Sequence, residues 1–237
     1  KTKSKIILMD ALKNESLKIK NSLIYRKVIP YLSDSKLKFS GKKFILINPK
    51  LKKIKINKKD KKKINVLATF GNVDNRYTEF LINYLIRQNN ILEKKTKIKI
   101  IIGSFCKNVF FNQLNSKIKQ KKIKFVKILR NQKNLINHFK WSDLVITNDG
   151  LTKYESMLAG RCTVILRKKN YKNGQLNFLE KLKISKYIDL DVDRLNFDKF
   201  EKKIFELIKN KNFWKIGKKA RNYFLKDNFK NYLKLIR

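Results

Sequence analysis

The sequence predicts an α/β fold, a Rossmann-like, mostly parallel sheet with helices on both faces. Three observations predict it. From residue 64 onward, short apolar runs alternate with segments whose apolar residues recur at helical spacing. The runs are continuous rather than alternating, as strands buried on both faces require. Two of them end in polar, glycine-bearing loops, at Gly71-Asn72-Val73-Asp74 and Asn148-Asp149-Gly150, where a strand hands over to a helix.

Taken in order, residues 5–9 read as a strand ending at Asp10, and residues 20–32 are mixed, with Pro30 near their end. Residues 44–47 form a short apolar run bounded by Gly41 and Pro49. Residues 51–63 are lysine-rich and read as an exposed linker or strand edge, which places a domain boundary near residue 60. On this reading, residues 1–60 are the remnant of an amino-terminal domain with its linker, and residues 61–237 form the main Rossmann-like domain.

Strands follow at 64–70, 98–102, 123–126, 144–146, 162–166 and 187–190. Between them lie a helix with Phe80, Leu81, Tyr84 and Leu85 on one face, a helix over 108–119, and a short helix over 132–139 carrying His138. A helix after Gly150 presents Leu151, Tyr154, Met157 and Leu158 on one face and closes at Gly160. Further helices are predicted over 174–182, 200–208 and 213–225.

Charge sets the partners. Sixty Lys+Arg against 18 Asp+Glu leave a net charge of +42. Such a field attracts an anionic membrane surface or nucleic acid. Lysine, asparagine, isoleucine and phenylalanine are abundant together, while glycine (7), proline (2) and tryptophan (2) are scarce, the pattern of drift toward A/T-rich codons. Aromatics interleave with lysines over 213–232, at a spacing that suits core and surface of terminal helices. Two cysteines, Cys106 and Cys162, sit in or beside apolar runs, which predicts buried thiols in a reducing compartment.

Several chemistries are excluded. Neither G-x-G-x-x-G nor G-x-x-x-x-G-K-[ST] occurs, so classical dinucleotide and P-loop sites are not expected. One histidine and two distant cysteines make no zinc set, and no G-x-S-x-G or well-spaced carboxylate pair is present. No cofactor and no metal are expected, and no apolar run reaches the roughly 18 residues of a membrane span.

The candidate ligand loops hold the remaining polar residues. Gly71 permits a tight turn and close approach of a ligand, with Asn72 and Asp74 beside it, although Asp74 or Asn75 serves equally as a helix cap. At the second loop, backbone N–H groups around Gly150 and the Thr152 hydroxyl suit a phosphate. Asp149 either caps the helix or repels such an anion. Glu155, five residues after Gly150, is placed to accept from vicinal hydroxyls, or else is a solvated helix residue or a lysine's ion-pair partner. Gln175 and Asn177 either hydrogen-bond a sugar or simply open a helix. His138 reads as a half-buried structural residue, and no residue is assigned as the catalyst.

These residues together resemble nucleotide-sugar enzymes of the GT-B type. The likeness is strongest to the UDP-sugar hydrolase of the pseudaminic acid pathway, which shares its carboxyl-terminal domain with the MurG-like transferases of glycosyltransferase family 28. It rests on T-F-G-N-V-D at 69–74, I-I-I-G-S-F at 100–105, residues 134–160, and N-G-Q-L-N at 173–177. The resemblance implies a GT-B carboxyl-terminal half. It implies nucleotide contacts at Asn148, Asp149, Gly150, Thr152 and Glu155, the last on ribose. Gly71, Asn72, Asp74, Gln175 and Asn177 fall on the sugar or phosphate side. Asn72 stands where the family usually has a glycine, and Asn148 and Asp149 stand where it usually has two small residues.

The chain begins near the end of the family's amino-terminal domain and has no counterpart of that domain's histidine. The expected function is binding and turnover of a UDP-sugar, as a hydrolase of a UDP-linked deoxyamino sugar in surface-glycan biosynthesis. The alternatives are a MurG-like glycosyltransferase and a non-catalytic nucleotide-sugar or polyanion-binding protein. The expected location is the cytoplasm, peripheral to the inner membrane face.

Overall fold

A computed structural model describes residues 6–9, 25–28, 45, 47–56, 62–71, 75–168, 174–190, 197–210 and 213–225. Two short strands, β1 (Ile6–Met9) and β2 (Tyr25–Val28), pair in parallel, Ile6 opposite Tyr25. A 3₁₀ turn at Pro49–Lys53 follows, opened by Pro49 and by the Asn48 carboxamide, which accepts from Lys50 N at 3.0 Å.

The main body alternates strand and helix. Its strands are β3 (Ile64–Thr69), β4 (Thr96–Ile102), β5 (Val126–Arg130), β6 (Leu144–Asn148), β7 (Cys162–Lys168) and β8 (Lys186–Leu190). Its helices are α1 (Asn75–Arg87), α2 (Asn89–Lys95), α3 (Asn108–Gln120), α4 (Ile136–Trp141), α5 (Thr152–Leu158), α6 (Gly174–Lys181), α7 (Asp198–Asn210) and α8 (Phe213–Phe224). All six strands run parallel in the order β5-β4-β3-β6-β7-β8. The order reverses between β3 and β6, which makes their carboxyl ends the switch point of an open α/β sheet.

Each sheet face carries its own core. Val66, Ala68, Ile98 and Ile100 pack with Phe80 and Tyr84 of α1, Leu114 of α3 and Phe200 of α7. Rings dominate there, with Tyr84 meeting Phe200 edge-on at 4.7 Å. Leu67, Ile101, Val145 and Ile165 face the other way, toward Phe139 of α4, Tyr154 and Met157 of α5, and Ala220 and Phe224 of α8. The central strands β3, β6 and β7 are buried almost throughout, which is why they read as unbroken apolar runs. Cys106 and Cys162 are buried free thiols, and burial pushes Cys162 up to about 12.

Four expectations need correction. Residues 51–56 are no exposed linker: Leu51 and Ile54 are 1% and 2% exposed and belong to the second core. Lysines dominate the composition there, but two apolar residues suffice to anchor the segment. Two arginines strap it down. Arg221 donates to the Ile54 carbonyl, and Arg161 donates to Lys55 O at 3.2 Å.

Second, β5 lies at Val126–Arg130 rather than 123–126. Lys122 takes a left-handed φ of 51°, and Ile123 N reaches back to Ile118 O at 3.1 Å, so Ile123 closes α3 instead of opening a strand. Third, the short helix expected over 132–139 begins only at Ile136, after Asn134 Oδ1 accepts from Ile136 N at 2.8 Å. Fourth, Leu151 is not on the buried face of α5. It is 47% exposed, while Tyr154, Met157 and Leu158 are buried.

Gly160 does close α5, at φ +71°, and Arg161 N returns to Ser156 O at 3.0 Å in a Schellman pattern. Arg221 of α8 takes up the helix's last carbonyls, Ala159 O at 2.8 Å and Leu158 O at 3.2 Å. Helix α8 sits so close that a Cβ on Gly217 would fall 2.1 Å from Gly160 O.

Candidate functional site

The strands that lead into the two candidate loops are tied together at the switch point. Asn148, the last residue of β6, donates from Nδ2 to Phe70 O at 2.9 Å. That bond joins the carboxyl ends of β3 and β6 across the reversal in strand order. Gly71 follows at φ +79°, a value that favours glycine, and among the described residues beyond its chain neighbours no atom lies within 4 Å of where its Cβ would be. The glycine answers to backbone conformation. Asn72 and Asp74 lie outside the described residues.

On the β6 side, Asn148, Asp149 and Gly150 are half-buried and lead through Leu151 into α5. Leu151 holds the N-cap position and makes no side-chain capping bond. Asp149 Oδ1 pairs with Lys153 Nζ at 2.7 Å, one turn along. Lys153 is 2% exposed and lies 4.2 Å from the centroid of the Tyr154 ring. Burial lowers its basicity, and the Asp149 carboxylate opposes that.

A second cation bears on the same region. Arg167 at the end of β7 is held above its ordinary value first by its hydrogen bond to Asp189, with Asp149 the smallest contributor. Its guanidinium is forked on Asp189, Nε to Oδ1 at 2.5 Å and Nη2 to Oδ2 at 3.0 Å. The acidic residue that sequence reasoning set against an anion is thus neutralised from within the loop. Lys153 was missed in sequence. Its signal was the i,i+4 spacing from Asp149, the separation that brings charges onto one helix face.

Glu155 is half-buried in the first turn of α5, and desolvation raises its carboxyl above the ordinary value. Among the described residues, no lysine or arginine pairs with it. A half-buried carboxylate with spare acceptor capacity stands near a sheet switch point, the kind of residue that meets hydroxyls of a bound ligand.

The sugar-side residues divide. Gln175 lies in the first turn of α6. Asn177 Oδ1 accepts from the Tyr187 hydroxyl at 2.7 Å, which orients its carboxamide along β8. His138 is half-buried as expected, its Nε2 3.0 Å from Gln132 Oε1. Burial and the nearby Lys99 charge depress its basicity. Among the described residues, no cluster of His, Cys, Asp and Glu could hold a metal, and no helix is long and apolar enough to cross a membrane.

The fold has counterparts of known structure. A glycosyltransferase from Rickettsia africae superposes with a TM-score of 0.59 at 14% identity, over 89% of this chain and 57% of that one. MurG from Acinetobacter baumannii gives 0.59 at 16% identity, over 90% and 59%. The fold is that of a GT-B carboxyl-terminal domain. Anabaena HepE, solved with UDP-glucose, gives 0.56 at 15% identity, over 72% of this chain and 47% of its own.

In sequence, an uncharacterized protein of Methanocaldococcus jannaschii is 26% identical over 201 residues, covering 78% of this chain. The chain spans 40% of that relative and 57% and 59% of the first two bacterial structures. No family model matches it.

Proposed function

We propose that the crevice between the ends of β3 and β6 binds a UDP-sugar, and that the protein acts on nucleotide sugars. The observation that carries this is the Asn148–Phe70 bond, which places both glycine loops at the switch point of a parallel sheet. The HepE likeness supports the ligand class, since that protein was solved with UDP-glucose.

Each residue then has a role. Backbone N–H groups near Gly150 and the Thr152 hydroxyl receive the diphosphate. Lys153 keeps Asp149 neutralised, so the loop tolerates that charge. Glu155 accepts from the ribose hydroxyls. Gly71 and Asn177 are assigned to the sugar or phosphate side, the role that the family resemblance also gives Asn72, Asp74 and Gln175.

The reaction breaks the bond that joins the sugar to UDP, with the loop stabilising the charge that develops on the leaving diphosphate. The family resemblance favours water as the acceptor, a hydrolase of a UDP-linked deoxyamino sugar. The MurG and Rickettsia likenesses favour an acceptor hydroxyl, a glycosyltransferase.

Calorimetric titration of the chain with UDP, UMP and CMP tests the binding step. Binding of UDP ahead of CMP is expected, and no binding of any at low and moderate salt overturns the reading. Release of UDP from UDP-sugars in water alone marks the hydrolase. Release only with an added acceptor alcohol marks the transferase, and binding without release marks a non-catalytic protein.

A further inference from the structure

At the opposite edge of the sheet from the crevice, the amino-terminal ends of β3, β4 and β5 frame an open pocket of about 340 Å³. Lys97 and Lys99 of β4 line it with Lys127 of β5 and Trp141 at the end of α4. Lys63 and Lys124, which precede β3 and β5, stand at its rim, and Glu93 of α2 is its single carboxylate.

The position of these lysines is unusual. Side chains alternate along a strand, so Lys97 and Lys99 share a face with Ile101, and Lys127 shares a face with Leu129. Ile101 belongs to the second core, and Leu129 packs against it. The same sheet face that is apolar toward the carboxyl ends is therefore cationic toward the amino ends. Lys99 and Lys127 are register partners, directly opposite each other. Like charges so placed are destabilising. Lys97, Lys124 and Lys127 are exposed and Lys63 and Lys99 half-buried, so solvent screens this repulsion without removing it. Lys99 Nζ lies 4.1 Å from the centroid of the Trp141 ring, an aromatic wall for the basic floor.

We propose that this pocket is a second anion site, which binds a compact, multiply charged phosphate group. Its volume falls in the range of small-ligand sites, about 300–1,000 Å³, and is far too small to enclose a nucleic-acid duplex. Lysine ammonium groups bind phosphate as mobile point charges, and five of them around one carboxylate match a group carrying several negative charges. The bound anion relieves the Lys99–Lys127 repulsion and draws Lys99 away from the indole. The group is either free in solution or the phosphate head of a lipid. The inference is independent of the nucleotide crevice.

Trp141 fluorescence in a Trp214→Phe background reads the pocket directly. Inorganic tripolyphosphate at 0.15 M KCl is expected to change it saturably, while sodium sulfate at matched ionic strength does not. Lys99→Gln with Lys127→Gln should weaken that response by about tenfold or more, as loss of charge-assisted contacts implies. Those variants should melt no lower than their parent, because they remove a repulsion. If they fail to fold, Lys63→Gln with Lys124→Gln at the rim serves the same purpose.

Vesicles containing phosphatidic acid form the second arm. A lysine-dependent response to tripolyphosphate assigns the free anion, and one to vesicles alone assigns the lipid head. An equal response in the lysine variants, an equal response to sulfate, or a response only to oligonucleotides overturns the proposal.

Discussion

Asn148 Nδ2 and Phe70 O, 2.9 Å apart, link two strands whose helices leave the sheet in opposite directions. The bond ties the carboxyl end of β6 to the residue that follows β3. Asn148 Oδ1 also lies 3.3 Å from where a Cβ on Gly150 would stand, so the same side chain sets the entry to the β6 loop. Asn148→Ala should cost about 1 kcal/mol, the usual worth of one such bond, visible as a lower urea midpoint. UDP affinity should fall along with it. An unchanged midpoint and an unchanged affinity would show that the tether holds nothing.

The Asp149–Lys153 pair makes a sharper prediction. Lys153 is almost fully buried, with its side chain 3% exposed against 16% for Asp149. Removing one partner of a buried pair leaves a charge without its compensation, at a cost of about 3–5 kcal/mol. Lys153→Met should therefore destabilise strongly. Asp149→Asn combined with Lys153→Met should recover most of that loss in denaturant melts. A double variant as weak as the single one would place the Lys153 contribution in packing rather than in the pair.

Much of this fold was legible because its central strands are buried on both faces. Residues 64–69, 144–148 and 162–168 show as apolar runs for that reason alone. The glycines at 71 and 160 showed the turns, and both adopt positive φ. Helix α2 was missed because only Leu92 of its seven residues is buried, which leaves no periodicity to read. Strand β5 was misplaced because Ile123 and Phe125 are core residues without being strand residues. In the site, the order of residues 148–155 was readable, but the bond from Asn148 to Phe70 spans 78 positions of sequence. No local pattern announces such a contact.

Close approach of α8 to the end of α5 gives a third prediction. A Cβ on Gly217 would sit 2.1 Å from Gly160 O, and one on Gly160 would sit 2.4 Å from Ile56 Cδ1. Backbone cannot yield as a side chain can. Gly217→Ala should exceed the ordinary overpacking cost of about 1–3 kcal/mol and should free residues 47–56 from the core. Hydrogen exchange at Leu51 and Ile54 amides should accelerate with it. Normal protection there would mean that α8 shifts without losing the strap.

Glu155 carries the last prediction, because its stability effect and its binding effect run in opposite directions with pH. Burial raises its carboxyl above the ordinary 4.5. Between the unfolded and folded values the folded chain holds more protons than the unfolded chain. Its contribution to stability is therefore complete below 4.5 and is lost as pH rises through the folded value. Glu155→Gln should match the parent in acid and exceed it at neutral pH.

Binding reverses the order. Ribose hydroxyls donate to the ionised form, so parental affinity for UDP should fall as the acid protonates, while Glu155→Gln binds roughly tenfold more weakly at neutral pH with a flat profile. Pyrophosphate affinity should be nearly indifferent to the change. A variant that gains stability and still binds UDP like the parent would leave Glu155 a buried acid with no ligand. Equal losses for UDP and pyrophosphate would move it from the ribose to the phosphates.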